Sequence, residues 1–214
     1  QGLPVHSYNY ARMWMVAHGL LTWHFLHSLT FSGIVKALCV TSNVVVQVSP
    51  LPQVQRWGKR GNTGGADSAP YVAIAFGCWQ WCFYGCFAWL ITGRSGFLVL
   101  VQSNSLGALL GTYYTWSFYS RCQSEAARLS LRKYLCFVVA LAFFQGCAVG
   151  LLPAQQALFL VGLVSAFWGF MSALSVLVTV PKVLSQKDSR SIPGTVVFAS
   201  ALSSLCWLVC GALL

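Results

Sequence analysis

Residues 68–93 read SAPYVAIAFGCWQWCFYGCFAWLITG and residues 95–120 read SGFLVLVQSNSLGALLGTYYTWSFYS, with Arg94 as the one charge between them. A helix needs about 20 apolar residues to cross the hydrocarbon core of a bilayer. Each run is one such length. Working outward, the other uncharged stretches are 37–55, 134–181 and 191–214. The stretch 134–181 is long enough for two spans, with Pro153 at the turn between them. The expectation is an all-α integral membrane protein with six spans, near 32–55, 70–92, 96–120, 133–151, 157–181 and 193–214.

Composition agrees. Of 214 residues 57% are hydrophobic and 7% charged, where a soluble domain carries about a quarter. Three acidic residues, Asp67, Glu125 and Asp188, could not keep so apolar a monomer in water. The basic residues are placed unevenly. Loops 56–69, 121–133 and 182–192 hold 10 of the 13, while the second loop has Arg94 alone and the fourth has none. By the positive-inside rule these three loops face the cytoplasm, or the matrix or stroma of an organelle. The net charge of +10 is then a topology signal. It does not read as a nucleic-acid surface, which would need a solvated basic face.

Several side-chain sets invite other readings. Cys78, Cys82 and Cys86 recur every four residues, as do Cys206 and Cys210, and each set stacks on one helix face. Small residues there suit close helix packing in lipid. No His or carboxylate shares the Cys78 face, and no CxxC occurs, so no metal and no disulfide framework is expected. His24 and His27 lie three apart within 1–31, a segment expected to form an interfacial helix or a seventh, poorly formed crossing. It shows no transit or signal-cleavage pattern, and a start at Gln1 suits processing. No Ser/His/Asp set, phosphate loop or intramembrane carboxylate pair is present, so neither an enzyme nor a cofactor is expected.

An internal repeat carries more weight. Pro50-Leu-Pro52-Gln53-Val54, a basic loop, Pro70 and Trp81-x-x-x-Gly85 are followed later by Pro181-Lys182-Val183, a basic loop, Pro193 and Trp207-x-x-x-Gly211. The offsets run from 123 to 129 residues, and the Pro-to-Trp spacing is 11 and then 14. If a linker helix separates two three-helix units, span one corresponds to span five and the repeats are parallel. Transporters commonly place their site between such repeats. Proline at these helix ends removes an amide donor and permits a bend.

From Ser32 to Leu214 the chain resembles the SWEET sugar transporters and their PQ-loop (MtN3/saliva) relatives. The resemblance rests on Pro52-Gln53, on Pro70 followed by Trp81-Cys-Phe-Tyr84-Gly85, and on Asn104-Ser-Leu-Gly107 running into Thr112-Tyr113-Tyr114. Gly162 to Val183, with the loop reaching Pro193, completes it. It implies a first three-helix repeat over 32–120, a linker helix over 121–152 and a second, incomplete repeat over 153–214, with alternating access. It implies a sugar pocket lined by Asn104, Trp81, Trp207, Gly77 and Ser203, and hinges at Pro50, Pro70 and Pro193. The residues suit that chemistry. A buried amide matches sugar hydroxyls, and both indoles fall midway along their spans, away from the interfacial belts. A helix–helix hydrogen bond is the competing role for Asn104.

The sequence departs from the family pattern in several places. The family has a seventh helix with a second pocket asparagine, whereas this sequence stops at Leu214. Val176 stands where the fifth-helix proline is usual, and Cys210 where a tyrosine is usual. The function expected is facilitative uniport of a sugar or similar neutral solute, and the lack of intramembrane carboxylates disfavours proton coupling. The alternative is a transport-inactive structural or accessory subunit of a larger membrane complex. The expected partners are a sugar-like solute and the bilayer, with a homo-oligomer or other membrane subunits also open.

Overall fold

A proline at residue 50 decides how the first span is built. In the computed structural model, which describes residues 31–177 and 194–213, α1 runs Phe31–Val48 and α2 Leu51–Arg60. Pro50 has no amide hydrogen for the Val46 carbonyl. The Ser49 hydroxyl supplies that hydrogen bond instead, Oγ to Val46 O at 2.7 Å. Helical backbone resumes at once, with Val54 N donating to Pro50 O at 3.1 Å. The first span is therefore a bent helix that continues through the basic residues Arg56, Lys59 and Arg60. Sequence reading ended it at 55, because charge marks where lipid ends and not where a helix ends. In α2 the charges face outward while Val54 and Trp57 are each 1% exposed.

The remaining helices are α3 (Ala69–Thr92), α4 (Leu98–Arg121, entered through a single 3-10 turn at Ser95–Phe97), α5 (Glu125–Leu151), α6 (Ala154–Leu177) and α7 (Gly194–Leu213). Their punctuation follows local chemistry. Gly61 and Gly93, at φ 73° and 68°, cap α2 and α3 in the left-handed region that glycine enters freely. The Ser124 hydroxyl accepts from Ala127 N at the start of α5, and Glu125 in that first turn pairs with Arg128 at 3.4 Å. Because Arg128, Arg132 and Lys133 ride on this helix, α5 begins two turns before the span expected from residue 133. Residues 1–30 and the loop carrying Pro181, Lys182 and Pro193 lie outside the described residues.

Among the described residues, four helices are long and apolar enough to cross a membrane: Gly33–Arg60, Ala69–Thr92, Glu125–Leu151 and Ala154–Met171. Their outer faces carry large apolar side chains that only lipid or protein would cover, among them Phe137, Phe143, Phe144, Phe159 and Phe170. The fifth long helix, α4, is more polar, with Gln102, Ser103, Asn104, Ser105 and Thr112 along it. It packs on α1, α2 and α3, and its buried face includes Ser103, Asn104, Gly107, Gly111 and Tyr114. That face is covered by protein, while Leu109, Trp116 and Tyr119 stand exposed on the same helix.

Glycine sets that closeness. A Cβ on Gly111 would lie 2.5 Å from the Ala75 backbone of α3. The chain is thus an all-α membrane bundle, with α3 between α4 and α6, α1 between α4 and α7, and α5 laid on α6.

Candidate functional site

The polar residues of α4 meet those of α1 inside the bundle. Asn43 Nδ2 donates to Asn104 Oδ1 at 3.2 Å and lies 3.1 Å from Ser103 O. Gln47 Nε2 donates to the same Ser103 carbonyl at 2.9 Å. Asn104 commits both donors within α4, to Leu100 O at 2.9 Å and Ser103 Oγ at 3.0 Å. The Tyr114 hydroxyl, wholly buried, donates to Gln47 O at 3.1 Å. Interhelical bonds of this kind are worth about 0.6 kcal/mol each on average within a bilayer.

What the cluster leaves over is acceptor capacity. Gln47 Oε1 and Gln102 Oε1 are buried without a hydrogen-bond donor among the described residues, and Asn104 Oδ1 has a lone pair beyond the one Asn43 uses. In this conformation Asn104 is 6% exposed and makes the helix–helix bond weighed as its competing role. Asn43 and Gln47 were not singled out from sequence. The signal available was their spacing, since two amides four apart share one face of an otherwise apolar span.

The other expected site residues fall into two groups. Trp81 and Gly77 sit on α3. Trp81 is half-buried, stands edge-on to Tyr84 at 6.0 Å, and faces Gly169 of α6, where an added Cβ would lie 3.7 Å from the indole. Gly77 is buried one turn earlier. Beside them Gln80 Nε2 donates to Ser165 Oγ of α6 at 3.2 Å. Ser203, 6% exposed, and Trp207, half-buried, sit on α7. Trp207 packs with Val35, Cys39, Cys206 and Cys210. The structure thus sets Trp81 at the α3–α6 interface, Trp207 at the α1–α7 interface and Asn104 at the α1–α4 interface.

Of the expected hinges, Pro50 lies in the bend between α1 and α2. Pro70 occupies the first turn of α3, where a missing amide hydrogen leaves nothing unpaired. Pro193 is outside the described residues. Around the bend, Trp57 closes the basic end, edge-on to Tyr71 at 4.9 Å and Phe118 at 5.7 Å. Near it the 61–68 loop lies against the start of α5, where Gly65, Ala66, Asp67, Ser68, Ala127 and Ser130 line a shallow cleft.

These features define a multi-pass helical membrane protein with a buried polar cluster and with α1–α7 and α3–α6 contacts between its N- and C-terminal parts. Residues 33–126 match the family described as "Sugar efflux transporter for intercellular exchange". The chain is similar to the bidirectional sugar transporter SWEET15 of rice (Oryza sativa subsp. indica), 25% identical over 173 residues, 80% of this chain and 52% of that protein. It is also similar to SWEET11 of Arabidopsis thaliana, 27% identical over 199 residues, 89% of this chain and 61% of that one. A solved eukaryotic SWEET transporter shares the fold, with a TM-score of 0.70 at 21% identity, over 85% of this chain and 83% of that one. The similarity in sequence and in fold is thus to the SWEET (MtN3) transporters. The chain spans about half the length of the rice relative, and the relatives are named as transporters and not as enzymes.

Proposed function

We propose that this chain carries a sugar, or a similar small neutral solute, across a bilayer by facilitative alternating access between two parallel repeats. The observation that carries the reading is the way its halves meet. α1 packs on α7, and α3 packs on α6. The sequence repeat pairs α1 with α6 and α3 with α7. Exchanging those counterparts turns the α1–α7 contact into the α6–α3 contact. Two parallel repeats related by an axis along the membrane normal generate such a pair of contacts. On this reading 32–120 and 153–214 are the repeats, 121–152 is the linker, and the two interfaces separate alternately.

The solute meets Asn104, Trp81, Trp207, Gly77 and Ser203, with Asn43 and Gln47 added. Its hydroxyls suit the spare acceptors of Gln47 and Gln102, and the indoles suit the apolar face of a sugar ring. Pro50, Pro70 and Pro193 serve as the bending points. The basic segments at 56–69 and 121–133, with 182–192, face the cytoplasm or its organellar equivalent. The names of the relatives support the substrate class.

In liposomes the full-length chain should equilibrate a labelled hexose or sucrose down its gradient, at a rate unchanged by collapsing a pH gradient. Asn104→Ala should slow uptake about tenfold, the effect of losing about 1.4 kcal/mol of substrate interaction. No uptake by the full-length chain, with Asn104→Ala making no difference, refutes the reading.

A further inference from the structure

The α1–α7 interface closes on sulfur. Cys39 and Cys210 are both 0% exposed and form one buried cluster with Val35, against which Cys206 and Trp207 pack. The two thiols are thus packed in the same buried cluster, one from each helix. At the matching interface, between α3 and α6, the contact is of a different kind. There Tyr84 lies over Gly162, whose added Cβ would be 3.2 Å from the ring. Tyr84 and Cys210 hold the same place in the repeated Trp-x-x-x-Gly pattern, each three residues after its Trp. Where one interface sets a ring on a glycine, the other buries two thiols in one cluster. Cys39 is about two turns into α1 from Phe31, and Cys210 is three residues from the end of α7. Both therefore lie toward the end of the bundle opposite the basic segments.

We propose that Cys39 and Cys210 are an oxidisable pair, a modification site at which a peroxide joins α1 to α7 through a disulfide and holds that end of the bundle closed. The chemistry balances. One sulfur attacks a peroxide oxygen, giving a sulfenic acid and water, and the second sulfur then displaces water from the first. Two thiols lose two electrons and two protons, and the peroxide becomes two waters. Separation of α1 from α7 admits the oxidant, and their return brings the sulfurs together. The pair stands independently of the carrier reading, whereas its effect on uptake rests on it.

The test treats the full-length chain in liposomes with hydrogen peroxide and blocks remaining thiols with N-ethylmaleimide. Trypsin is then applied without reductant. Cleavage after Lys36, Arg56 and Arg190 isolates peptides 37–56 and 191–214. These should be recovered covalently joined and lighter by two hydrogen atoms. The joined pair should be absent from Cys39→Ser and Cys210→Ser, the latter separating Cys210 from Cys206. Oxidation of the exposed Cys86, Cys136 and Cys147 without any joined pair overturns the proposal, as does a joined pair that survives Cys210→Ser. Uptake by oxidised protein should fall to that of empty liposomes, recover with dithiothreitol, and be insensitive to peroxide in Cys39→Ser. A joined pair with undiminished uptake refutes the closure. An untreated chain without uptake counts against the carrier reading alone, and the peptides still decide the pair.

Discussion

Gly111 tests the packing that holds α4 in place. Replacing its hydrogen with a methyl group puts carbon 2.5 Å from both Ala75 N and Ala75 Cα, and 3.1 Å from Ala75 Cβ. Ordinary contact needs about 3.5–4.0 Å between carbons, so the helices must part by about 1 Å along their tightest approach. Backbone cannot swing aside as a side chain could, which puts the overpacking penalty in the upper part of its range, about 2–3 kcal/mol. Alanine returns about 1 kcal/mol through helix propensity. The net loss is about 1–2 kcal/mol, or about 2–8 °C in the unfolding midpoint of a chain this size. Gly146 on α5 is the internal control, because a Cβ there meets nothing within 4 Å. Thermal unfolding of purified protein in one detergent, followed by near-UV circular dichroism, should rank Gly146→Ala at or above the parent and Gly111→Ala below it. Equal midpoints for the two variants would show that α3 and α4 are not in the close contact described.

Other substitutions probe the interior in different ways. Asn43→Ala should lower stability by about 0.6–1.7 kcal/mol, because it strips one donor from Asn104 Oδ1 and Ser103 O; an unchanged midpoint in the same assay would contradict the bond. Trp57→Ala should cost about 3–5 kcal/mol. Trp57→Phe should lose far less, since the buried indole Nε1 has no acceptor among the described residues; denaturation curves that rank the two alike would refute this. Gln145→Leu on α5 should leave stability unchanged or raise it by up to about 1 kcal/mol, because Gln145 Nε2 is likewise buried and unpaired. A clear loss of stability would mean that this amide has a partner in the membrane-embedded protein.

Much of the architecture could be read from where charges are missing. Lipid excludes charge strongly, so gaps between Lys and Arg mark the spans whatever else they contain. The same logic misplaced helix ends. Arg56, Arg60, Arg128 and Lys133 all sit on continuing helix, since water at the membrane surface tolerates a charged turn. Asn104 was recognisable as a buried polar group because nothing apolar could explain it. Its partner was harder to find. Asn43 lies 61 residues away, and only the crossing of α1 over α4 brings the two amides together. The placement of Trp207 beside Cys39 was equally hidden, for the pattern that singled out the tryptophan says nothing about which helix lies across from it. The proline at 50 announced a bend, but not that the Ser49 hydroxyl would repair the carbonyl it orphans.

The polarity of α4 bears on how the chain is made. A translocon partitions each emerging segment by its own solubility in hydrocarbon, and α4, with its amides and hydroxyls, is the segment least inclined to leave. Its partners α1, α2 and α3 all precede it in the chain, so they are already synthesised when α4 emerges. Membrane insertion of α4 is thereby conditional on earlier helices that present matching groups. Mutations in α1 that abolish those groups would be felt first as failed biogenesis and degradation, before any mature molecule exists to be assayed.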